Sequence, residues 1–397
     1  MNYSISIIVY VSMGIIGSIA LKKTRTNYAF RNSNKQISYY YFFWFIIWTL
    51  FISSRIVTDN FGGTDAPRYI KFFINSMSDE QLILGDETME KHMGVVFSFL
   101  TKIIRCITKN YHMYFSFMYG FITISYIIFL NEFSLSDECF IPLIPCFFPL
   151  LLGFNTLRST FSIALILIAI VLMNRKYYKT SLLFLILSCS VHKASFVYVL
   201  IFPYYFISKK NIKSIWKTLI GLIFVFFVGR FVQNILFNSS LGIISSAYRF
   251  YLGKSYSRSI LQWQPVILFS QFLLFINMIV FRRNIKIDMD KENEDSNRLR
   301  FLWMLCSFDI LVIPICYIVN NFRGYEYFYL ARLLMWGEIF KIIKQKCPKY
   351  LWYLIEYCIL ILFIGWYIFR ISRNANDAHL FPYKSILFDM SIMEAQF

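Results

Sequence analysis

The chain alternates between long apolar runs and short polar stretches, and the runs have the length of membrane-spanning helices. A helix of about 20 apolar residues crosses the hydrocarbon core of a bilayer. Runs of this kind lie near residues 3–21, 37–57, 112–130, 139–154, 156–174, 218–237, 263–281, 301–319, 326–340 and 350–369. The pattern predicts an all-α, polytopic integral membrane protein with about ten transmembrane helices in a single domain, residues 1–397.

A further apolar stretch, residues 180–207, is interrupted by the polar residues 190–195. We predict that it forms a broken re-entrant helical hairpin, because broken helices are tolerated at membrane depth where they line a cavity. In an alternative topology, residues 93–109 cross the membrane and 180–207 form one continuous span. We prefer the hairpin because 93–109 is short and carries Lys102 and Arg105 within it. Such a segment is typical of an amphipathic helix at the outer surface.

Composition agrees with a membrane protein. Hydrophobic residues make up 58% of the chain and charged residues 16%, against roughly 45–50% and roughly 25% in soluble proteins. These values exclude a soluble enzyme, a disulfide scaffold, a disordered chain and a classical nucleic-acid binder. The eight cysteines are scattered, with no CxxC and no Cys/His cluster, so we expect no disulfide framework, no metal site and no cofactor.

The net charge of +18 follows from the loops. Of the 40 Lys and Arg residues, 22 lie in five stretches, with only five acidic residues among them: 22–35, 174–179, 208–217, 282–300 and 341–349. Basic loops of this kind remain in the cytoplasm. The loops 58–92 and 238–262 and the tail 370–397 are then predicted to lie outside. The high charge therefore reports topology and not nucleic-acid binding.

Two ionisable residues are predicted within or at the end of spans. Arg158 opens the span that follows residues 153–156, and an ionisable residue at membrane depth is a functional candidate; a snorkelling interfacial arginine is the alternative. His192 is predicted about halfway across the bilayer, where an imidazole can act as an acid, a base or a phosphate donor. A hydrogen-bonded core histidine is its alternative, but the neighbouring Lys193 favours an anionic partner.

Two further groups lie at the predicted outer face. In the Gly-Gly turn 62–69, Asp65 is a candidate general base or sugar-hydroxyl acceptor and Tyr69 a candidate sugar contact; an ordinary acidic turn is the alternative. Arg323 is predicted in an outer loop and Arg332 inside the next span. Either arginine has a structural alternative, since Glu326 or Asp309 would neutralise it in an ion pair.

These cationic residues come from separate segments, yet the predicted topology opens all of them to the outer face. Such a set suits a substrate that carries a phosphate or diphosphate at the level of the lipid headgroups. Arginine is the fitting residue, because its planar guanidinium pairs with phosphate through two parallel hydrogen bonds.

Short motifs occur in a characteristic order along most of the chain, over about residues 40–390. They are Gly63-Thr64-Asp65-x-x-x-Tyr69, Asn155-Thr156-Leu157-Arg158-Ser159, Leu187-Ser188-x-x-x-His192-Lys193-Ala194-Ser195, Tyr329-Leu330-Ala331-Arg332-Leu333-Leu334 and Phe381-Pro382-Tyr383-Lys384-Ser385. In this order the chain resembles the EpsG/Wzy-type family of bacterial polysaccharide polymerases. It departs from the family at Met335-Trp336, where a Tyr-Phe pair is usual.

The resemblance implies an integral-membrane glycosyltransferase with a GT-C-like fold in the cytoplasmic membrane. Such proteins join oligosaccharide repeat units carried on polyprenyl diphosphate at the outer face, beside a flippase and a chain-length regulator. The residues expected to carry the reaction are Asp65, Arg158 and His192, and those expected to bind substrate are Arg68, Tyr69, Lys193, Arg323, Arg332 and Tyr383. Either Asp65 or His192 would accept the proton.

Other functions in the same setting are a flippase for the lipid-linked units, a glycan ligase and a membrane acyltransferase. A flippase usually consists of related halves, and the chain shows no internal repeat. The outward placement of the cationic residues also counts against a flippase. A ligase is chemically the nearest alternative to a polymerase.

Overall fold

The computed structural model describes residues 3–29, 39–58, 62–63, 65–76, 83–84, 87–88, 93–209, 221, 265–291, 293–318, 326–378 and 383–386. Several of the sequence predictions therefore fall outside the described residues. Among them are most of the basic stretch 208–217 and of the span at 218–237, the outer loop 238–262, the position of Arg323 and the end of the tail, residues 387–397.

The described residues form a bundle of helices. The helices are α1 (Tyr3–Ala29), α2 (Tyr39–Ser53), α3 (Ala66–Asn75), α4 (Val95–Ile107), α5 (Tyr111–Phe133), α6 (Phe148–Leu152), α7 (Leu157–Asn174), α8 (Tyr178–Val191), α9 (Phe196–Val199), α10 (Ile201–Lys209), α11 (Pro265–Val280), α12 (Arg282–Met289), α13 (Glu294–Ile318), α14 (Tyr329–Lys346) and α15 (Lys349–Ala378). Short 3₁₀ turns cover Asp137–Phe140, Ile144–Phe147 and Lys193–Ser195.

Four segments of the described residues are long and apolar enough to cross a membrane: Ser4–Lys23, Tyr111–Phe133, Leu157–Asn174 and Lys349–Ser372. The structure thus agrees with an all-α membrane protein. The number of ten spans and the GT-C-like architecture stay predictions.

The predicted run 139–154 is not one helix. It consists of two 3₁₀ turns followed by the five-residue α6. The reason is the spacing of Pro142, Pro145 and Pro149, because each proline lacks the N–H that a continuous helix needs. The segment still runs along α1, since Ser18 donates a hydrogen bond to the carbonyl of Phe140.

Two boundaries also differ from the sequence prediction. Helix α13 begins at Glu294, inside the predicted loop 282–300. Helix α15 continues to Ala378, so the first part of the predicted outer tail is helical. Hydropathy locates only the apolar centre of a helix, and charged residues extend it on either side.

The predicted outer loop 58–92 contains regular structure. Helix α3 is amphipathic, with Tyr69, Phe72 and Phe73 buried and Arg68 exposed. The two-residue strands β1 (Ile83–Leu84) and β2 (Glu87–Thr88) pair antiparallel, with Ile83 opposite Thr88. Apart from this pair of strands and an isolated bridge between Arg55 and Ser385, the regular structure of the described residues is helical.

Helices α8 to α10 run out and back beside α7. The hydroxyl of Ser181 donates to the carbonyl of Ala169, and that of Ser162 donates to the carbonyl of Ser188, so α8 is antiparallel to α7. The chain then returns, because the ring of Tyr178 lies 5.2 Å from that of Phe206. This arrangement agrees with a helical hairpin and not with one continuous span.

The tip of the hairpin reaches further than the sequence predicted. Because α8 continues for 14 residues without a break, Ser188 lies level with Ser162, in the second turn of α7. His192 follows one turn later. It therefore lies near the N-terminal end of α7 and not beside the middle of that helix.

The bundle has two chemically different ends. The basic end contains Arg175, Lys341 and Lys344, whose side chains pair with Glu132, Asp288 and Glu138. The site end contains the C-terminus of α2, the start of α7, the tip of the hairpin and residues 383–386.

Candidate functional site

The Gly62-Gly63 turn packs directly on the loop that precedes α7. The φ angles of these glycines are +82° and +112°, which L-residues with a side chain rarely adopt. A Cβ atom added to Gly63 would lie 2.4 Å from the carbonyl oxygen of Phe154 and 2.9 Å from the side-chain oxygen of Asn155. Only glycine allows this approach, which brings together two motifs that are about 90 residues apart in the chain.

Tyr69 and Arg158 meet at this contact. Arg158 lies in the first turn of α7, and Tyr69 is buried on the inner face of α3. Burial raises the pKa of the Tyr69 hydroxyl, and the charge and N–H groups of Arg158 oppose that rise. The phenol therefore stays protonated at neutral pH and can orient the guanidinium.

Asp65 lies at the edge of the same group. It precedes α3, and its carboxylate is 3.7 Å from the guanidinium of Arg68. The carboxylate also acts electrostatically on Tyr69. Its side chain is 41% exposed, so a substrate hydroxyl can reach it. The structure thus gathers Asp65, Arg68, Tyr69 and Arg158 into one polar group at the site end.

Sequence reasoning missed a residue beside this group, Arg55. Its side chain is buried, with 1% of the residue exposed. Its guanidinium carbon lies 3.9 Å from the centre of the Phe154 ring, and Nη1 donates to the hydroxyl of Tyr119 at 3.3 Å. Tyr119 in turn donates to the carbonyl of Gly153 at 2.7 Å.

Among the described residues, Nε and Nη2 of Arg55 have no hydrogen-bond partner. No carboxylate of those residues forms an ion pair with it either. The sequence held a signal for this site, because Arg55 is an ionisable residue inside the predicted span 37–57. The criterion that singled out Arg158, an ionisable residue near a span end, applies equally to Arg55.

His192 lies at the tip of the hairpin. There the backbone N–H of His192 donates to Ser188, and the hydroxyl of Ser195 lies 2.8 Å from that of Tyr327. The imidazole is half-buried. Gly94 fixes the tip from the other side, since a Cβ there would lie 2.6 Å from the carbonyl of Ser190. The Lys193 side chain is outside the described part of the chain.

Arg332 and Tyr383 have structural partners. Arg332 pairs with Asp309 at 2.7 Å, with side chains 6% and 3% exposed, and Gln271 donates to the same carboxylate at 3.0 Å. The hydroxyl of Tyr383 donates to the carbonyl of Phe51 at 2.5 Å, and its ring stacks on Phe51. These contacts favour the ion-pair alternative for Arg332, and the substrate roles of both residues stay predictions.

The chemistry of the site is that of an anion site beside a carboxylate. Arginine N–H groups bind phosphate, and a half-exposed aspartate accepts a proton or a hydroxyl hydrogen bond. Within the described residues, no three His, Cys, Asp or Glu side chains converge in a way that would hold a metal ion.

Comparison with known proteins gives one match. The model of the EpsG family matches residues 38–385, a range that contains every motif from Gly63 to Ser385 and confirms the resemblance seen in the sequence. A search of the curated proteins found no match, and a search of the solved structures found none. The family and the apolar helices indicate a membrane protein of polysaccharide biosynthesis. The chain therefore belongs to the EpsG family.

Proposed function

We propose that this protein is a polysaccharide polymerase that joins oligosaccharide repeat units carried on polyprenyl diphosphate at the outer face of the cytoplasmic membrane. The observation that carries the proposal is the contact between the motif containing Asp65 and Tyr69 and the motif containing Arg158. At this contact the guanidinium of Arg158 and the half-exposed carboxylate of Asp65 both act on Tyr69, at one end of a membrane bundle. A lipid-linked diphosphate sugar needs both groups.

The reaction is a displacement at the anomeric carbon of the donor chain. A hydroxyl oxygen of the incoming repeat unit forms the new bond to that carbon, and the bond from the carbon to the diphosphate oxygen breaks. The electron pair leaves with the diphosphate, so negative charge grows on it in the transition state. Arg158 stabilises this growing charge more than the ground state, which lowers the barrier.

Asp65 is our first candidate for the base that accepts the acceptor hydroxyl proton. It acts electrostatically on Tyr69, which contacts Arg158, and it is partly exposed. Its carboxylate lies 3.7 Å from the guanidinium of Arg68. His192, at the same end of the bundle, is the second candidate. Tyr69 positions Arg158. The sugar contact assigned to Tyr69 and the substrate contact assigned to Lys193 remain part of the proposal.

The two ends of the bundle support this orientation. The cations of the basic end are paired with carboxylates and mark the cytoplasmic side, whereas the polar group lies at the opposite end. The donor arrives already activated as a diphosphate, so the reaction needs no nucleotide-sugar domain. The substrate reaches the site laterally through the bilayer, after a flippase has moved it outward, and a chain-length regulator would act on the product.

The size ladder of surface polysaccharide tests the proposal. A deletion strain is complemented with the wild-type gene, with Arg158→Ala or with Arg105→Ala. Arg105 is the matched control, because it is another arginine at this end of the bundle, over the Phe73 ring at 5.1 Å. We expect long chains from wild type and the control, and single repeat units from Arg158→Ala at equal membrane expression.

Other outcomes point elsewhere. A full ladder in the uncomplemented deletion strain would contradict the polymerase assignment. Loss of all surface units from Arg158→Ala would favour a flippase. Long chains that accumulate on the lipid carrier without transfer would favour a ligase.

A further inference from the structure

We infer that Arg55 is a positioning residue of the anion site. Its fixed positive charge adds to that of Arg158 and attracts the diphosphate of the substrate. This inference rests on the proposed function, because it names the group that the charge serves. Three features of Arg55 support it: its charge, its connection to Arg158, and the way in which the backbone holds it.

The charge of Arg55 is buried without a compensating anion among the described residues. Its surroundings are the rings of Phe115 and Phe154, at 4.6 Å and 3.9 Å, and the neutral hydroxyl of Tyr119. Aromatic faces attract a cation but do not cancel its charge. A buried charge is costly unless it is paired, so a protein that retains one gains something from its unneutralised field.

The contacts of Arg55 lead to Arg158. Its guanidinium covers Phe154, the residue on which Gly63 packs. Tyr119 acts electrostatically on both Arg55 and Tyr69, and Tyr69 contacts Arg158. Arg55 is thus linked to the group around Arg158 through the packing of Phe154 on Gly63 and through the electrostatic interaction of Tyr119 with Tyr69. Inside a protein, charges are screened less than in water, so the field of Arg55 extends to an anion bound at Arg158.

The backbone fixes Arg55 from both sides. The N–H of Ile56 donates to the carbonyl of Lys384, and the N–H of Ile386 donates to the carbonyl of Ser54, each at 2.9 Å. These bonds form a short antiparallel bridge between Arg55 and Ser385. The motif at 381–385, which the sequence interpretation assigned to substrate binding through Tyr383, thus also holds the charged residue in place.

Ligand charge provides the test. The purified full-length protein in detergent is titrated with three probes of one chain length: an isoprenyl diphosphate, the isoprenyl monophosphate and the isoprenol. For Arg55→Gln we expect the dissociation constant of the diphosphate to rise on the order of tenfold, that of the monophosphate to rise less and that of the alcohol to stay unchanged. Arg55→Lys should restore most of the diphosphate affinity, because it retains the charge.

Two variants separate charge from packing. Arg105→Gln is the matched control and should bind all three probes as wild type does. Tyr119→Phe removes the hydrogen bond to Arg55 and retains the charge, so it should retain the preference for the diphosphate. This variant also keeps the inference testable if Arg55→Gln folds poorly.

The inference is overturned if Arg55→Gln binds the diphosphate as wild type does. It is equally overturned if all three probes weaken alike and Arg55→Lys gives no rescue, because that result describes a structural role. These outcomes are distinguishable from a failure of the proposed function. Probe binding does not require polymerisation, whereas the polysaccharide ladder does. A full ladder in the uncomplemented deletion strain, together with intact charge-dependent binding, would reject the polymerase and keep the anion site.

Discussion

Two of the buried arginines among the described residues are in opposite situations. Arg332 in α14 pairs with Asp309 of α13 at 2.7 Å, and both side chains are almost fully buried. Arg55, at the site end, is buried to the same degree but faces aromatic rings and one tyrosine hydroxyl. No carboxylate of the described residues pairs with it. Burial is therefore equal in the two regions, and only the partner differs.

The difference shows why burial of an arginine does not by itself identify a site. A paired buried arginine holds two helices together, and its net charge at that point is close to zero. An unpaired one creates a positive field that a bound anion can use. The sequence interpretation gave Arg332 a role at the diphosphate and did not consider Arg55. The partners of the two residues instead favour a structural role for Arg332 and a role at the anion site for Arg55.

Substitution of each arginine by methionine should produce the largest contrast. Arg332→Met leaves the Asp309 carboxylate buried without its partner, and we expect a loss of about 3–5 kcal/mol in the free energy of unfolding. Arg55→Met leaves no described carboxylate behind, so we expect a change within about 1 kcal/mol, or a gain. SDS and thermal unfolding of the detergent-solubilised protein measure both.

The control for Arg332 is a double variant. Asp309→Leu combined with Arg332→Met removes both charges at similar volume, and we expect it to recover most of the stability lost in Arg332→Met. Equal losses from Arg332→Met and Arg55→Met would contradict the comparison, since they would mean that the Arg55 charge is compensated within the protein.

A smaller effect is expected from Gly63→Ala. The new Cβ would meet the Phe154 carbonyl at 2.4 Å with φ at +112°, so the turn must move away from the loop before α7. We expect a loss of about 1–3 kcal/mol together with a shortened polysaccharide ladder. Gly365→Ala in α15 is the matched control, because a Cβ there meets nothing within 4 Å. It should stabilise that helix by about 1 kcal/mol and leave the ladder intact.

If Gly63→Ala destabilises the protein without shortening the ladder, the packing of the turn on Phe154 serves stability alone. The contact between the two motifs would then not contribute to the reaction.

Much of the fold follows from hydropathy, because a membrane helix needs a run of apolar residues that is easy to see. The helices Tyr111–Phe133 and Leu157–Asn174 lie close to their predicted bounds for this reason. The broken stretch 137–152 does not follow from hydropathy, since it depends on the hydrogen bonds that prolines remove. Helix α3 was missed because it is short and only half apolar.

The site was predictable in part. Topology alone placed Asp65, Tyr69 and Arg158 at one end. In the structure Tyr69 contacts Arg158, and Asp65 acts electrostatically on Tyr69. The position of His192 along the length of α7 could not be predicted, because it depends on the residue at which α8 ends. Arg55 was missed because its importance lies in the absence of a carboxylate among its described neighbours, and a sequence shows residues but not which of them meet.

The smallest effect is expected at the basic end, where cations are paired and exposed. Lys344 lies 2.8 Å from Glu138, and its side chain is 51% exposed, so water and salt already screen the pair. For Lys344→Gln we expect a loss of about 0.2–1 kcal/mol that disappears in ~1 M salt, with an unchanged ladder. A shortened ladder from this variant would mean that cations at the two ends are not functionally different. A loss that persists at high salt would instead show that this pair is effectively buried, as Arg332 and Asp309 are.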